Sequence, residues 1–168
     1  MTLRLILTRH AKSAWDNPFD SDHKRPLNAR GQRAAPLIGR WLAQQGYLPG
    51  QALVSDATRT RETWALLGAE LPGPVPAQFE PALYHAGPDV MLRVLQGAEA
   101  GCVIMIGHNP GIAAFADLLL AQRPAHPGFT RYPTCATLVA EFDGLSGWAD
   151  LAYGTGRALD FVVPRELE

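Results

Sequence analysis

Leu3-Arg4-Leu5-Ile6-Leu7-Thr8-Arg9-His10-Ala11 carries an apolar run into an adjacent arginine and histidine. A strand here delivers both side chains at its C-terminal end, and in open α/β sheets that end is where ligands bind. A second run of the same kind, Val103-Ile104-Met105-Ile106-Gly107-His108, also closes on a histidine. Its unbroken apolar character suits a strand buried on both faces.

Between these two runs, strand-like and helix-like stretches alternate. The pattern predicts strands at 3–9, 52–55 and 103–107, with a weaker one near 77–80. Helices are predicted at about 32–45, 58–70, 88–95 and 111–122. Residues 10–30 read as a polar loop punctuated by Asn28 and Gly31. Pro36 is expected in the first turn of its helix, and Gly46 at its C-cap. Asp56-Ala57-Thr58 reads as a cap for the following helix. Residues 123–134 form a Pro-rich loop, 135–142 a strand, 144–147 a turn, and 148–163 one or two further strands. Alternating β and α elements imply an α/β fold: a mostly parallel central sheet with helices on both faces. No repeat or internal boundary is visible, so 1–168 is expected to be one domain.

Composition narrows the function. The chain has 168 residues, 47% of them hydrophobic, enough for a substantial core. A formal net charge of -1 provides no global field for nucleic acid or an anionic membrane. Cys102 and Cys135 lie in apolar runs and read as core residues rather than a disulfide. No apolar stretch is long enough to span a bilayer. Arg4, Arg9 and His10 interrupt the N-terminal run, which argues against a signal peptide. A soluble, cytoplasmic protein is the expectation.

The chemistry rests on a conjunction. A neutral imidazole is a competent nucleophile toward phosphorus, and phosphoryl oxygens require positioned cations. Arg9 adjoins His10. Arg59, in Ser55-Asp56-Ala57-Thr58-Arg59-Thr60-Arg61-Glu62-Thr63, opens a helix after the second strand. Arginine suits the task because its fork binds phosphate oxygens bidentately. A lone histidine ending a strand is more often an ordinary satisfied group. Pattern alone leaves that reading and a phosphate site evenly balanced.

Four ordered segments shift the balance. Leu7-Thr8-Arg9-His10-Ala11-Lys12-Ser13 resembles the RHG/RHA signature of the histidine phosphatase superfamily. Arg25-Pro26-Leu27-Asn28-Ala29-Arg30-Gly31 resembles its RPLT/RPLN-x-x-G segment. The stretch 55–63 resembles the segment carrying its second arginine, and Ile106-Gly107-His108-Asn109-Pro110-Gly111 its second-histidine motif. The resemblance covers about 3 to 120, and the short SixA-type phosphohistidine phosphatases are the branch it is most similar to.

That resemblance implies a three-layer, phosphoglycerate-mutase-like fold and a role for each matching residue. His10 is the implied nucleophile, forming a phosphohistidine intermediate. Arg9 and Arg59 are implied phosphoryl clamps, with Arg25 a further contact. His108 and the main-chain N–H of Asn109 are implied donors. No metal or other cofactor is implied, and the five histidines make no compact zinc-like cluster.

One departure is chemically informative. Larger relatives place a carboxylic acid a few residues before a Gly. Counting back from Gly87 reaches Leu83, which cannot donate a proton. Glu80 and His85 are the remaining candidates, with a solvated strand end and a substrate-contacting site rim as their respective alternative readings. Without an acid an alkoxide leaves poorly, because general acid catalysis is typically worth ~10²–10⁴-fold. The expected partner is therefore a phosphohistidine-bearing protein, reached through an open site. The alternatives are a small phosphate ester with Glu80 or His85 as acid, or a silent phosphate- or phosphoprotein-binding module. Lys12, Lys24, Arg30 and Arg61 form an expected basic rim, and Trp15 and Tyr84 an expected site mouth. Asp20, Asp22 and His23 are expected to make local turn hydrogen bonds.

Overall fold

The computed structural model describes residues 1–168. Its elements, in order, are β1 (Thr2–Arg9), α1 (Ala29–Gln45), β2 (Gln51–Ser55), α2 (Thr58–Gly68), β3 (Ala77–Glu80), α3 (Pro88–Gln96), β4 (Cys102–Gly107), α4 (Gly111–Leu119), β5 (Thr137–Asp143) and β6 (Arg157–Val162). One six-stranded sheet runs β3-β2-β4-β1-β5-β6. The first four strands in that order are mutually parallel; β5 alone runs against them, pairing antiparallel with β1 on one side and with β6 on the other.

Period-2 alternation decides the layers. On β1, Leu3, Leu5 and Leu7 enter one core with Val103 and Met105 of β4, packed under Met91 and Leu95 of α3 and Phe115 and Leu119 of α4. Ile6, Ile104 and Ile106 enter the opposite core with Ala35, Ile38 and Leu42 of α1 and Leu67 of α2. Because both faces are covered, the central strands read as unbroken apolar runs rather than alternating ones. No helix is long and apolar enough to cross a membrane, and both cysteines are free.

Several boundaries differ from expectation, each for a local reason. Helix α1 begins at Ala29, because the Asn28 side chain accepts from the Gly31 N–H at 2.9 Å. Pro36 therefore sits inside the helix, where it leaves the Gln32 carbonyl without its i+4 donor on an exposed turn. Helix α4 ends at Leu119 rather than 122, because Thr155 and Gly156 donate to the Leu119 carbonyl and draw Leu120 into an extended bridge. Strand β5 starts at Thr137. Cys135, at φ +61°, instead donates its N–H to the His10 carbonyl. The tail holds a single strand, β6, beside two short 3-10 turns.

Gly39 marks where the two helices on one face touch. A Cβ there would lie 2.3 Å from the Leu67 carbonyl oxygen and 2.9 Å from the Glu70 Cβ. Neither atom is the free end of a flexible chain, so the helices would have to separate. Gly39→Ala is expected to destabilise the fold by about 1–3 kcal/mol, read as a lower urea midpoint with an unchanged m-value. Equal stability would show that α1 and α2 can part without cost.

Candidate active site

Strand register assembles the site. Arg9 of β1 is level with Gly107 of β4, and Val54 of β2 is level with Ile106. Ser55 is level with Glu80 of β3. Four parallel strands therefore end along one edge, and the residues that follow them converge. His10 and His108 leave adjacent strands with ring centroids 5.3 Å apart, and both are nearly fully buried.

Each ring is held by a specific bond. His10 Nδ1 lies 2.7 Å from the Ala11 carbonyl oxygen. A carbonyl only accepts, so Nδ1 carries the proton and Nε2 keeps its lone pair. Burial first, then the charges of Arg9, Arg59 and Arg25, lower the His10 pKa to about 3 despite that bond. His108 Nε2 sits 2.7 Å from Ser55 Oγ, while its Nδ1 is buried with no protein partner. Burial, followed by His10 and Arg59, lowers its pKa to about 2. Both imidazoles are neutral at pH 7.

Three guanidinia surround them. Arg59, in the first turn of α2, is 3% exposed. Thr63 one turn on accepts from the Ala11 N–H and donates to the Arg59 carbonyl, tying that turn to the loop after β1. Arg9 Nη1 donates to the Tyr132 carbonyl at 3.2 Å. Burial, and then the Arg59 charge, lower the Arg9 pKa from its ordinary value. Arg25 donates to Ser13 Oγ at 2.5 Å, and its guanidinium carbon lies 3.5 Å from the centroid of the exposed Trp15 ring. The Nε atoms of Arg9 and Arg59 are buried without partners. Buried cations with unspent donors attract an anion.

Asp22 makes the expected local bond, to Arg25, but its carboxylate also bridges the site. Arg25 Nη2 donates to Asp22 Oδ1 at 3.1 Å, and Arg59 Nη2 to Oδ2 at 3.2 Å. The Tyr84 hydroxyl also donates to Oδ2, and His85 Nε2 lies 3.1 Å from it. Burial alone would raise the Asp22 pKa. Hydrogen bonds from Tyr84, Arg25 and His85 and the Arg59 charge hold it far below the usual carboxylate range. Its spacing of three before Arg25 was the available signal, but nothing local pointed to Arg59 or Tyr84. Ser55 was likewise read only as the end of a strand.

The other candidates divide. His85, at φ +53° and half exposed, stacks on His108 at 5.8 Å. Glu80 makes no hydrogen bond to any of these groups, and Leu83 is buried in the core. Asn109 spends its side-chain amide on the Arg131 and Tyr132 carbonyls, at 2.9 and 3.2 Å. Asp56 does not cap α2. The cap position is Ala57, with no side-chain cap bond, and Asp56 pairs with His23 instead. Of the expected basic rim, Arg61 is spent on the Asp56 carbonyl and the Phe79 ring, whereas Lys12 and Arg30 line a groove beside Arg9.

Comparison with known proteins bears on the family and the fold. Residues 5–86 match the model of the histidine phosphatase superfamily (branch 1). An uncharacterized protein of Mycobacterium tuberculosis H37Rv is 33% identical over 168 residues, covering 94% of this chain and 99% of its own. A proposed phosphohistidine phosphatase SixA from Nakamurella multipartitia superposes with TM-score 0.79 at 29% identity, covering 98% of this chain and 97% of that one. The fold extends to a phosphoglycerate mutase from Plasmodium falciparum, with TM-score 0.60 at 18% identity over 96% of this chain and 91% of that one. Paired strand-end histidines, clustered arginines and these likenesses lead to one conclusion: this chain belongs to the histidine phosphatase superfamily.

Proposed function

We propose that the chain is a metal-independent phosphatase that hydrolyses protein phosphohistidine through a covalent intermediate on His10. The observation that carries the reading is the polarity of the His10 ring. Its Nδ1–H is committed to the Ala11 carbonyl, so a neutral lone pair remains on Nε2 beside clustered guanidinia. In the first step Nε2 attacks phosphorus, and the P–N bond of the substrate breaks. The departing imidazole keeps the electron pair and takes up a proton from water at the open site. In the second step water attacks the His10–phosphorus bond, releasing inorganic phosphate and regenerating the free ring. Arg9 and Arg59, with Arg25, neutralise the phosphoryl oxygens. The Ser55 hydroxyl, donating to His108 Nε2, would leave the His108 proton on Nδ1, where it serves an oxygen of the transition state.

The choice of leaving group follows from the acids. Asp22 is held ionised and Leu83 is apolar, so no carboxylic acid stands ready for an alkoxide. A phosphoramidate or an aryl ester needs less help. The second reading, a small-molecule phosphomonoesterase, rests on His85, a titratable group at the site mouth stacked on His108.

The test compares phosphate release from a phosphohistidine peptide, an aryl phosphate and a sugar phosphate, with EDTA present. Expected are fast release from the first, slower from the second and none from the third, with activity lost in His10→Ala. Equal turnover of the sugar phosphate would establish a working acid and the small-molecule reading. No turnover of any substrate, with phosphate binding kept, would establish a binding module.

A pH experiment tests the buried rings. Both histidines fall well below the ordinary 6.5, to about 3 and about 2. Between pH 6.5 and 3 the unfolded chain therefore binds more protons than the folded one. The stability these two rings contribute is full above 6.5 and is lost as pH falls through that window. His10→Gln removes one of the two groups and should flatten the fall in urea midpoint between pH 7 and 4. An identical slope in the variant would show that His10 protonates as readily folded as unfolded.

A further inference from the structure

Beyond the histidine pair, a second basic feature is left unused by the chemistry above. A groove of about 770 Å³ begins at Arg9 and runs between the 126–134 loop and the C-terminal turn. An adjoining cavity of about 310 Å³ extends it to Arg30 and Glu168. Lys12, Arg131 and Arg165 line both. Together with Arg30 these make four cations, from the loop after β1, the first turn of α1, the loop before β5 and the chain's last turn. All four are exposed, and none takes part in a salt bridge.

On the groove walls the cations Arg9, Lys12, Arg30, Arg131 and Arg165 outnumber the carboxylates of Glu166 and Glu168. Glu166, held ionised by hydrogen bonds from His126 at 2.8 Å and the Val163 N–H at 3.1 Å, offsets only part of the positive charge. Glu168 is the other carboxylate on its walls. The chain's net charge is -1, so the concentration of positive charge is local. Gathering unpaired like charges from four separate segments disfavours the fold unless an anion offsets them, and a concave basic surface focuses the field that draws one in.

The groove is also tied to the histidine site. The Tyr132 carbonyl accepts from Arg9, and the Arg131 and Tyr132 carbonyls both accept from Asn109, next to His108. The loop presenting Arg131 is thus pinned to both strand ends. A ligand lying along the groove has one end at the guanidinium that adjoins His10.

We propose that this groove is a docking site for an acidic polypeptide segment flanking the phosphorylated residue of a protein substrate. The proposal rests on the phosphoprotein reading above. Charge complementarity selects the occupant's sign. Its polypeptide nature follows from the extent of the two cavities, far larger than a single phosphate, and from the groove's opening at Arg9, next to the ring proposed to take the phosphoryl group.

The experiment uses two phosphohistidine peptides of equal length, one flanked by four glutamates and one by four glutamines. The enzymes are wild type and the double variant R131E/R165E. Wild type should show kcat/KM about tenfold higher for the glutamate peptide, an advantage that shrinks as salt is added. The double variant should lose that advantage yet turn over an aryl phosphate at the wild-type rate. Equal kcat/KM for the two peptides in wild type overturns the proposal, as does a matching loss of aryl phosphate turnover in the variant. If the aryl phosphate is hydrolysed but neither peptide is, the phosphoprotein reading fails. The groove is then judged by fluorescence anisotropy with an unphosphorylated glutamate peptide. Binding by wild type and not by the variant sustains an acidic-segment site. Binding of pyrophosphate but not of the peptide overturns it.

Discussion

The pairing of β1 with β4 is the constraint on which the site depends. Parallel register sets Arg9 beside Gly107, so the next residues, His10 and His108, leave the sheet as neighbours. A slip of one residue would turn every side chain of β1 to the opposite face. Leu5 and Leu7 would exchange places with Ile6, in two cores that are both filled. The packing that stabilises the central strands therefore also fixes the separation of the two imidazoles. The chemistry sits where the sheet is least able to shift.

Around that pair the electrostatics are poised rather than relaxed. Burial, and after it the charges of Arg9, Arg59 and Arg25, lowers the His10 pKa, while the Ala11 carbonyl works in the other direction. The balance leaves a neutral ring whose orientation is fixed. Asp22 supplies the one carboxylate shared by Arg25 and Arg59, and it gathers Tyr84 and His85 at the same point. An internal carboxylate on two of the three guanidinia keeps them extended toward one place. It also makes the site's net charge less positive than an arginine count suggests.

Much of this was legible beforehand. The two apolar runs ending in histidine, and the alternation of strand and helix, pointed to a sheet with helices on both faces. His10, Arg9, Arg59 and His108 stood out because each lies at the C-terminal end of a predicted strand. Boundaries were less legible, since they depend on distant partners. Helix α4 stops because Thr155 and Gly156 reach the Leu119 carbonyl. Pro36 lies within α1 because Asn28 starts the helix earlier than the apolar spacing implied. Asp22 looked like a turn residue because its partners, Arg59 and Tyr84, are 37 and 62 positions away.

The sequence by itself determined which side chains stand at strand ends, because apolar runs and period-2 burial are local properties of the chain. It also put an apolar leucine at position 83, which leaves Glu80 and His85 as the candidate proton donors. Only the tertiary structure decided which nitrogen of His10 keeps its lone pair, that Ser55 holds His108, and that Asp22 joins the arginines. It alone gathered Lys12, Arg30, Arg131 and Arg165 along one groove. Hydrogen bonds and charge clusters form between segments brought together by strand order and loop path, and neither is written in the residues on either side of them.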